Sequence, residues 1–75
     1  MEKILEIAEE IRPDVDFASE KKLVDNGVLD SFDIVSLIAE INDNFDVAIS
    51  AEEITPENFN SAENIWALVE RLMED

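Results

Sequence analysis

Residues 25–45, Asp-Asn-Gly-Val-Leu-Asp-Ser-Phe-Asp-Ile-Val-Ser-Leu-Ile-Ala-Glu-Ile-Asn-Asp-Asn-Phe, place a serine hydroxyl at the head of a long apolar helix. Apolar residues fall at Ile34, Leu37, Ile38, Ile41 and Phe45, the spacing of one helix face, while Asp33, Glu40 and Asp43 point elsewhere. Asp30, immediately before Ser31, is a good N-cap because its carboxylate accepts from the free amides of the first turn, and Gly27 breaks any helix upstream. The pattern predicts a helix that begins near Ser31, with the serine exposed in its first turn.

That placement has a chemical consequence. Amide dipoles leave partial positive charge at a helix N-terminus and favour an attached anion by roughly 0.3–1 kcal/mol. A phosphoester on Ser31 is therefore well placed. The local pattern also allows a second reading, in which Ser31 is only a further capping residue.

Around this stretch the chain reads as helices and connectors. Ile4, Ile7, Ala8 and Ile11 share one face, predicting an amphipathic helix from about Glu2 to Arg12, which Pro13 ends. Arg12 in its last turn complements the negative helix end. From Pro13 to Leu29 no helical period persists, and Phe17, Leu23, Val24, Val28 and Leu29 are the expected pins of a long loop, each worth on the order of 1.5–3 kcal/mol when buried. After Phe45 comes an apolar connector, Asp46-Val47-Ala48-Ile49. Ser50 and Glu53 then show capping-box spacing, and Thr55-Pro56 is a second start signal for a turn near Pro56 to Phe59. The sequence leaves open one broken helix or two turns. A last helix opens at Asn60 or Ser61, with Ile65, Leu68, Val69 and Leu72 on one face and Trp66 at the core edge.

Composition narrows the function classes. Seventy-five residues support one domain, expected over residues 1–75, with a small core. Hydrophobic residues make up 47% of the chain, too many for disorder despite a formal charge of −15. From Leu23 to Glu70 there are eleven acids and no cation. Such a surface repels nucleic acid and steers the protein towards partners with basic patches. The chain has neither cysteine nor histidine, so thiolate chemistry, imidazole bases and the usual zinc sites have no residues to draw on. The opening Met-Glu-Lys-Ile-Leu-Glu-Ile lacks the pattern of a signal peptide and no run approaches the ~20 apolar residues of a membrane span, so the expected location is cytoplasmic.

Two competing chemistries fail on the residues. A calcium loop counted from Asn42 to Glu53 has asparagine at its first position and Val47 where the sharp turn needs glycine. An autonomous enzyme needs a cleft that shifts a carboxylate's pKa, which so small a bundle does not predict. A third class, an acidic protein-interaction module without a prosthetic group, accounts for the charge but not for the run from Gly27 to Phe32.

The Asp30-Ser31-Phe32 triplet, with Gly27-Val28-Leu29 before it and Leu37-Ile38 and Ile41 to Phe45 after it, resembles the phosphopantetheine attachment site of acyl and peptidyl carrier proteins. The resemblance covers nearly the whole chain. It implies an all-α fold, a small four-helix bundle of the acyl-carrier type with a long first loop and a short third helix. It further implies that Ser31 receives 4′-phosphopantetheine from coenzyme A through a phosphopantetheinyl transferase using magnesium, with Asp30 orienting the site or the metal. The arm's thiol would then carry an acyl or aminoacyl group as a thioester between loading enzymes and acyltransferases. Partner enzymes would dock on Phe32, Val35 and Ala39, with Asp33, Glu40 and Asp43 supplying charge. The chain would be a monomeric carrier and not an enzyme, in a fatty-acid, polyketide, peptide or D-alanyl pathway. The Leu37-Ile38-x-Glu40-Ile41 run and the Asn58-Phe59-Asn60 turn look more similar to D-alanyl and stand-alone peptidyl or polyketide carriers than to fatty-acid carriers, many of which have a glutamate where Ser36 stands.

Overall fold

The apolar stripes become the inner faces of four helices in a computed structural model, which describes residues 2–74. Helix α1 spans Glu2–Ile11, α2 Ser31–Phe45, α3 Pro56–Phe59 and α4 Ala62–Glu74, with a 3₁₀ turn at Ala51–Glu53 before α3. This is the four-helix bundle expected from the resemblance, with its long first loop and short third helix. The expected unit over residues 1–75 extends to Met1 and Asp75, which lie outside the described residues. None of the described helices is long and apolar enough to cross a membrane.

Helix α1 packs against both α2 and α4, and α3 packs on α4. Ile4, Ile7 and Ala8 meet Leu37 and Ile41 of α2 and Ile65, Leu68 and Val69 of α4 in one buried cluster. The loops complete it. Phe17, Leu23 and Leu29 from the first loop, Ile49 from the connector and Phe59 from α3 are also buried, whereas Val24 and Val28 are only partly so. Apolar area removed from water is what holds these irregular segments down, since they have no regular backbone ladder of their own. Trp66 lies at the core edge as expected, its ring tilted at 53° to that of Phe45 with centroids 5.7 Å apart.

Several local expectations change. The segment after α2 resolves into two separate turns. Ser50 makes no side-chain capping bond at the first of them: the Glu53 amide donates to the Ser50 carbonyl at 3.0 Å, and the Glu53 carboxylate turns to Arg71, whose Nη2 donates to Glu53 Oε2 at 2.6 Å. Thr55 does cap α3, its Oγ1 accepting from the Asn58 amide at 3.3 Å. Ser61, not Asn60, caps α4, its Oγ accepting from the Asn64 amide at 3.1 Å.

Asn60 is drawn away to the first loop. Its Oδ1 accepts from the amides of Val24 and Asp25 at 3.0 Å each, and its carbonyl accepts from the Leu23 amide at 2.8 Å. The junction of α3 and α4 thereby anchors the approach to α2. Helix α2 itself stops at Asp46, which takes the left-handed conformation (φ 54°) that aspartate tolerates better than most residues.

Candidate functional site

Ser31 is the first residue of α2 and is exposed. The helix starts there because Asp30 is extended (φ −94°, ψ 179°) and caps it: the Asp33 amide donates to Asp30 Oδ1 at 2.9 Å, and the Asp30 amide donates back to Asp33 Oδ2 at 3.4 Å. The Ile34 amide takes up the Asp30 carbonyl at 3.1 Å. These bonds use the third and fourth amides of the helix and leave those of Ser31 and Phe32 without an intrahelical partner.

The approach to Asp30 is fixed by a closed loop. Leu29 donates from its amide to the Leu23 carbonyl at 3.0 Å, and Gly27 turns the chain with φ +71°. A Cβ on Gly27 would meet nothing within 4 Å, so it is the positive φ and not crowding that selects glycine there.

Arg12 is the residue whose role the sequence hides. It lies just past α1, and its guanidinium crosses to the start of α2 instead of merely complementing its own helix. Nη1 donates to Asp33 Oδ2 at 2.7 Å and to the Val28 carbonyl at 3.2 Å, while Nε and Nη2 grip the two oxygens of Asp14 at 3.1 Å each. The hydrogen bond from Arg12 holds the Asp14 carboxyl below its ordinary pKa, and the two aspartates raise that of Arg12. This bridge also alters the expectation for Asp33. Its carboxylate is turned to Arg12 and to the Asp30 amide and is mostly shielded, so it does not join the open acids of α2.

The other α2 residues singled out do share one open face. Phe32 is 81% and Val35 65% exposed, and Ala39, Glu40 and Asp43 are exposed with them. Side chains so open to water do not widen the core face of α2. Asn42 uses its Oδ1 to accept from the Ile49 amide at 3.1 Å, which ties the connector back to α2.

An exposed hydroxyl on the first residue of a capped helix suits a phosphate ester. Comparison with known proteins agrees. A model of the phosphopantetheine attachment site matches residues 1–72. The D-alanyl carrier protein of Streptococcus suis (strain 05ZYH33) is 38% identical over 73 residues, 96% of this chain and 92% of that protein. The D-alanyl carrier protein of Streptococcus sanguinis (strain SK36) is 36% identical over 64 residues, 84% of this chain and 81% of that protein. Aminoacyl carrier protein 1 of Bradyrhizobium diazoefficiens is 44% identical over 54 residues, 72% of this chain and 59% of that protein. An acidic interaction module without a prosthetic group is not the favoured reading of a chain with these relatives. The chain belongs to the phosphopantetheine-attachment family, as an acyl or aminoacyl carrier that holds 4′-phosphopantetheine covalently.

Proposed function

We propose that Ser31 is the attachment point and that this chain is a substrate and carrier, not a catalyst. The observation that carries the reading is an exposed hydroxyl on the first residue of a capped helix. In the transfer, the Ser31 oxygen forms a bond to the phosphorus that bears pantetheine in coenzyme A, the bridging P–O bond of the pyrophosphate breaks with adenosine 3′,5′-bisphosphate as the leaving group, and the serine proton passes to the transferase. Asp30 keeps Ser31 at the helix mouth by capping, and its carboxylate would help to orient a magnesium ion brought by the transferase. The open amides of Ser31 and Phe32 stabilise the phosphodiester that remains.

When bound, the arm supplies a thiol that takes an acyl or aminoacyl group as a thioester. The protein contributes a rigid base for a flexible tether, which raises the effective concentration of the cargo at each partner. Phosphopantetheinyl transferase, loading enzymes and acyltransferases with basic patches dock on Phe32, Val35 and Ala39, with Glu40 and Asp43 supplying charge. Asp33 is left out of that face because Arg12 holds its carboxylate. The cargo we favour is an aminoacyl group, D-alanine in the first instance, since two of the relatives are D-alanyl carrier proteins and a third is an aminoacyl carrier protein.

Incubation with coenzyme A and a promiscuous phosphopantetheinyl transferase tests the site. Mass spectrometry is expected to find one phosphopantetheine on the peptide containing Ser31 and none on the Ser31→Ala protein. Equal modification of Ser31→Ala would refute the assignment.

A further inference from the structure

Only five cations stand against twenty acids in this chain, and three of them, Arg12, Lys21 and Arg71, form ion pairs among the described residues. Arg12 is the least exposed of the three. Its donors are divided among three separate segments: Asp14 just beyond α1, the Val28 carbonyl in the loop before α2, and Asp33 on the first turn of α2. Asp33 Oδ2 accepts the Arg12 bond at 2.7 Å and also accepts from the Asp30 amide at 3.4 Å. One guanidinium thus reaches the capping box that sets where α2 begins.

The side on which it reaches matters. Successive helical residues are rotated by about 100°, so Asp33 and Ser31, two positions apart, point to nearly opposite sides of α2. Arg12 is therefore not a partner of the serine hydroxyl. It acts through the frame of the helix. We propose that Arg12 is a positioning residue for modification of Ser31: by clamping Asp33 to Val28 it fixes the first turn of α2, so that the hydroxyl is presented in one pose. This rests on Ser31 being the attachment point.

The proposal separates docking from turnover. Val35, Ala39, Glu40 and Asp43 lie on the open face beyond the first turn and make no bond to Arg12, so loss of the clamp leaves most of the docking surface in place while the nucleophile samples more poses. Misplacement of a reacting group by about 1 Å can cost up to ~10²-fold in rate. Lysine is a poor substitute, because a single ammonium lacks the planar fork that holds Asp14 through two nitrogens while a third bonds Asp33 and Val28.

The test measures phosphopantetheinylation kinetics well below the melting temperature for the wild type, Arg12→Gln, Asp33→Asn and the double variant. Arg12→Gln is expected to lower kcat about tenfold with KM within about twofold. If Arg12 acts through Asp33, the same substitution on the Asp33→Asn background changes kcat little further. Arg12→Lys, which keeps the charge and is the milder change for folding, is expected to regain most of the melting temperature and only part of kcat.

Amide hydrogen exchange supplies a readout independent of the transferase. Exchange at the Asp33 and Ile34 amides, which are bonded to Asp30, should quicken in Arg12→Gln while that of α4 is unchanged. A kcat equal to wild type, an effect confined to KM, or the same fold loss with and without Asp33 would overturn the positioning role. A wild type that accepts no group at Ser31 sinks the attachment site itself, which keeps the two failures apart.

Discussion

Asn60 and Asp25 hold one another reciprocally: the Asp25 amide donates to Asn60 Oδ1 at 3.0 Å, and Asn60 Nδ2 donates to Asp25 Oδ2 at 3.1 Å. The Val24 amide shares the same Oδ1 at 3.0 Å, so one side chain satisfies two consecutive loop amides. Truncation to alanine leaves the part-buried Val24 amide without a partner, at a cost of about 1–3 kcal/mol. Urea unfolding of Asn60→Ala is expected to show that loss in the midpoint with an unchanged slope. Asn60→Asp keeps the accepting oxygen but sets a second carboxylate against Asp25, and should not restore the parent value.

Acidification tests the ion pairs. Asp14 is held below its ordinary pKa by the hydrogen bond from Arg12, and Glu63 below its own by the hydrogen bond from Lys21. A carboxyl with a depressed folded-state pKa contributes stability above its unfolded pKa of about 4 and loses it as pH falls through the folded value. The stability gap between the parent and an Asp14→Asn, Glu63→Gln variant should therefore be present at pH 6 and close as pH falls below the ordinary carboxylate range through the depressed folded values. Taking the difference between the two proteins cancels the relief of general charge repulsion that both enjoy on protonation.

Ionic strength acts on that repulsion directly. A formal charge of −15 on 75 residues opposes the compact state, and the Debye length falls from about 10 Å at 0.1 M salt to about 3 Å at 1 M. The melting temperature should rise with added sodium chloride and rise at lower concentrations with magnesium. An unchanged or lower value contradicts the reading of the acidic surface as unbalanced.

Docking is addressed by Glu40→Lys with Asp43→Lys. Both side chains are exposed, so reversal should leave the bundle folded and slow modification by a transferase with a basic patch, chiefly through association. Phosphopantetheinylation rates at two salt concentrations report it, and unaltered kinetics exclude this face.

What the sequence conveyed and what it concealed divide along the range of the interactions. Asp30 as cap, Ser31 as first helical residue and the inward stripe from Leu37 to Ile41 depend on neighbours within a turn or two, so periodicity and capping chemistry expose them. Thr55 and Pro56 start α3 for the same reason. The bond from Arg12 to Asp33 spans 21 residues and that from Asn60 to Asp25 spans 35, and nothing local announces either. Local signals even misled. Ser50 with Glu53 has capping-box spacing, yet Glu53 is bound to Arg71, 18 positions away, and Asn60 resembles a helix cap although its side chain serves the first loop. The resemblance counts Asp33 among the acids of a docking face, and only the folded chain shows a cation already seated on it.

The tilted contact of Trp66 with Phe45 has a practical consequence. Phe45 closes the helix that Ser31 opens, and fifteen residues at 1.5 Å each put the lone indole roughly 20 Å along the axis from the Ser31 hydroxyl. Its emission therefore records whether α2 and α4 are joined and stays silent about what hangs from the serine. Bare and loaded protein can be compared by one optical signal, with no dye and no further substitution.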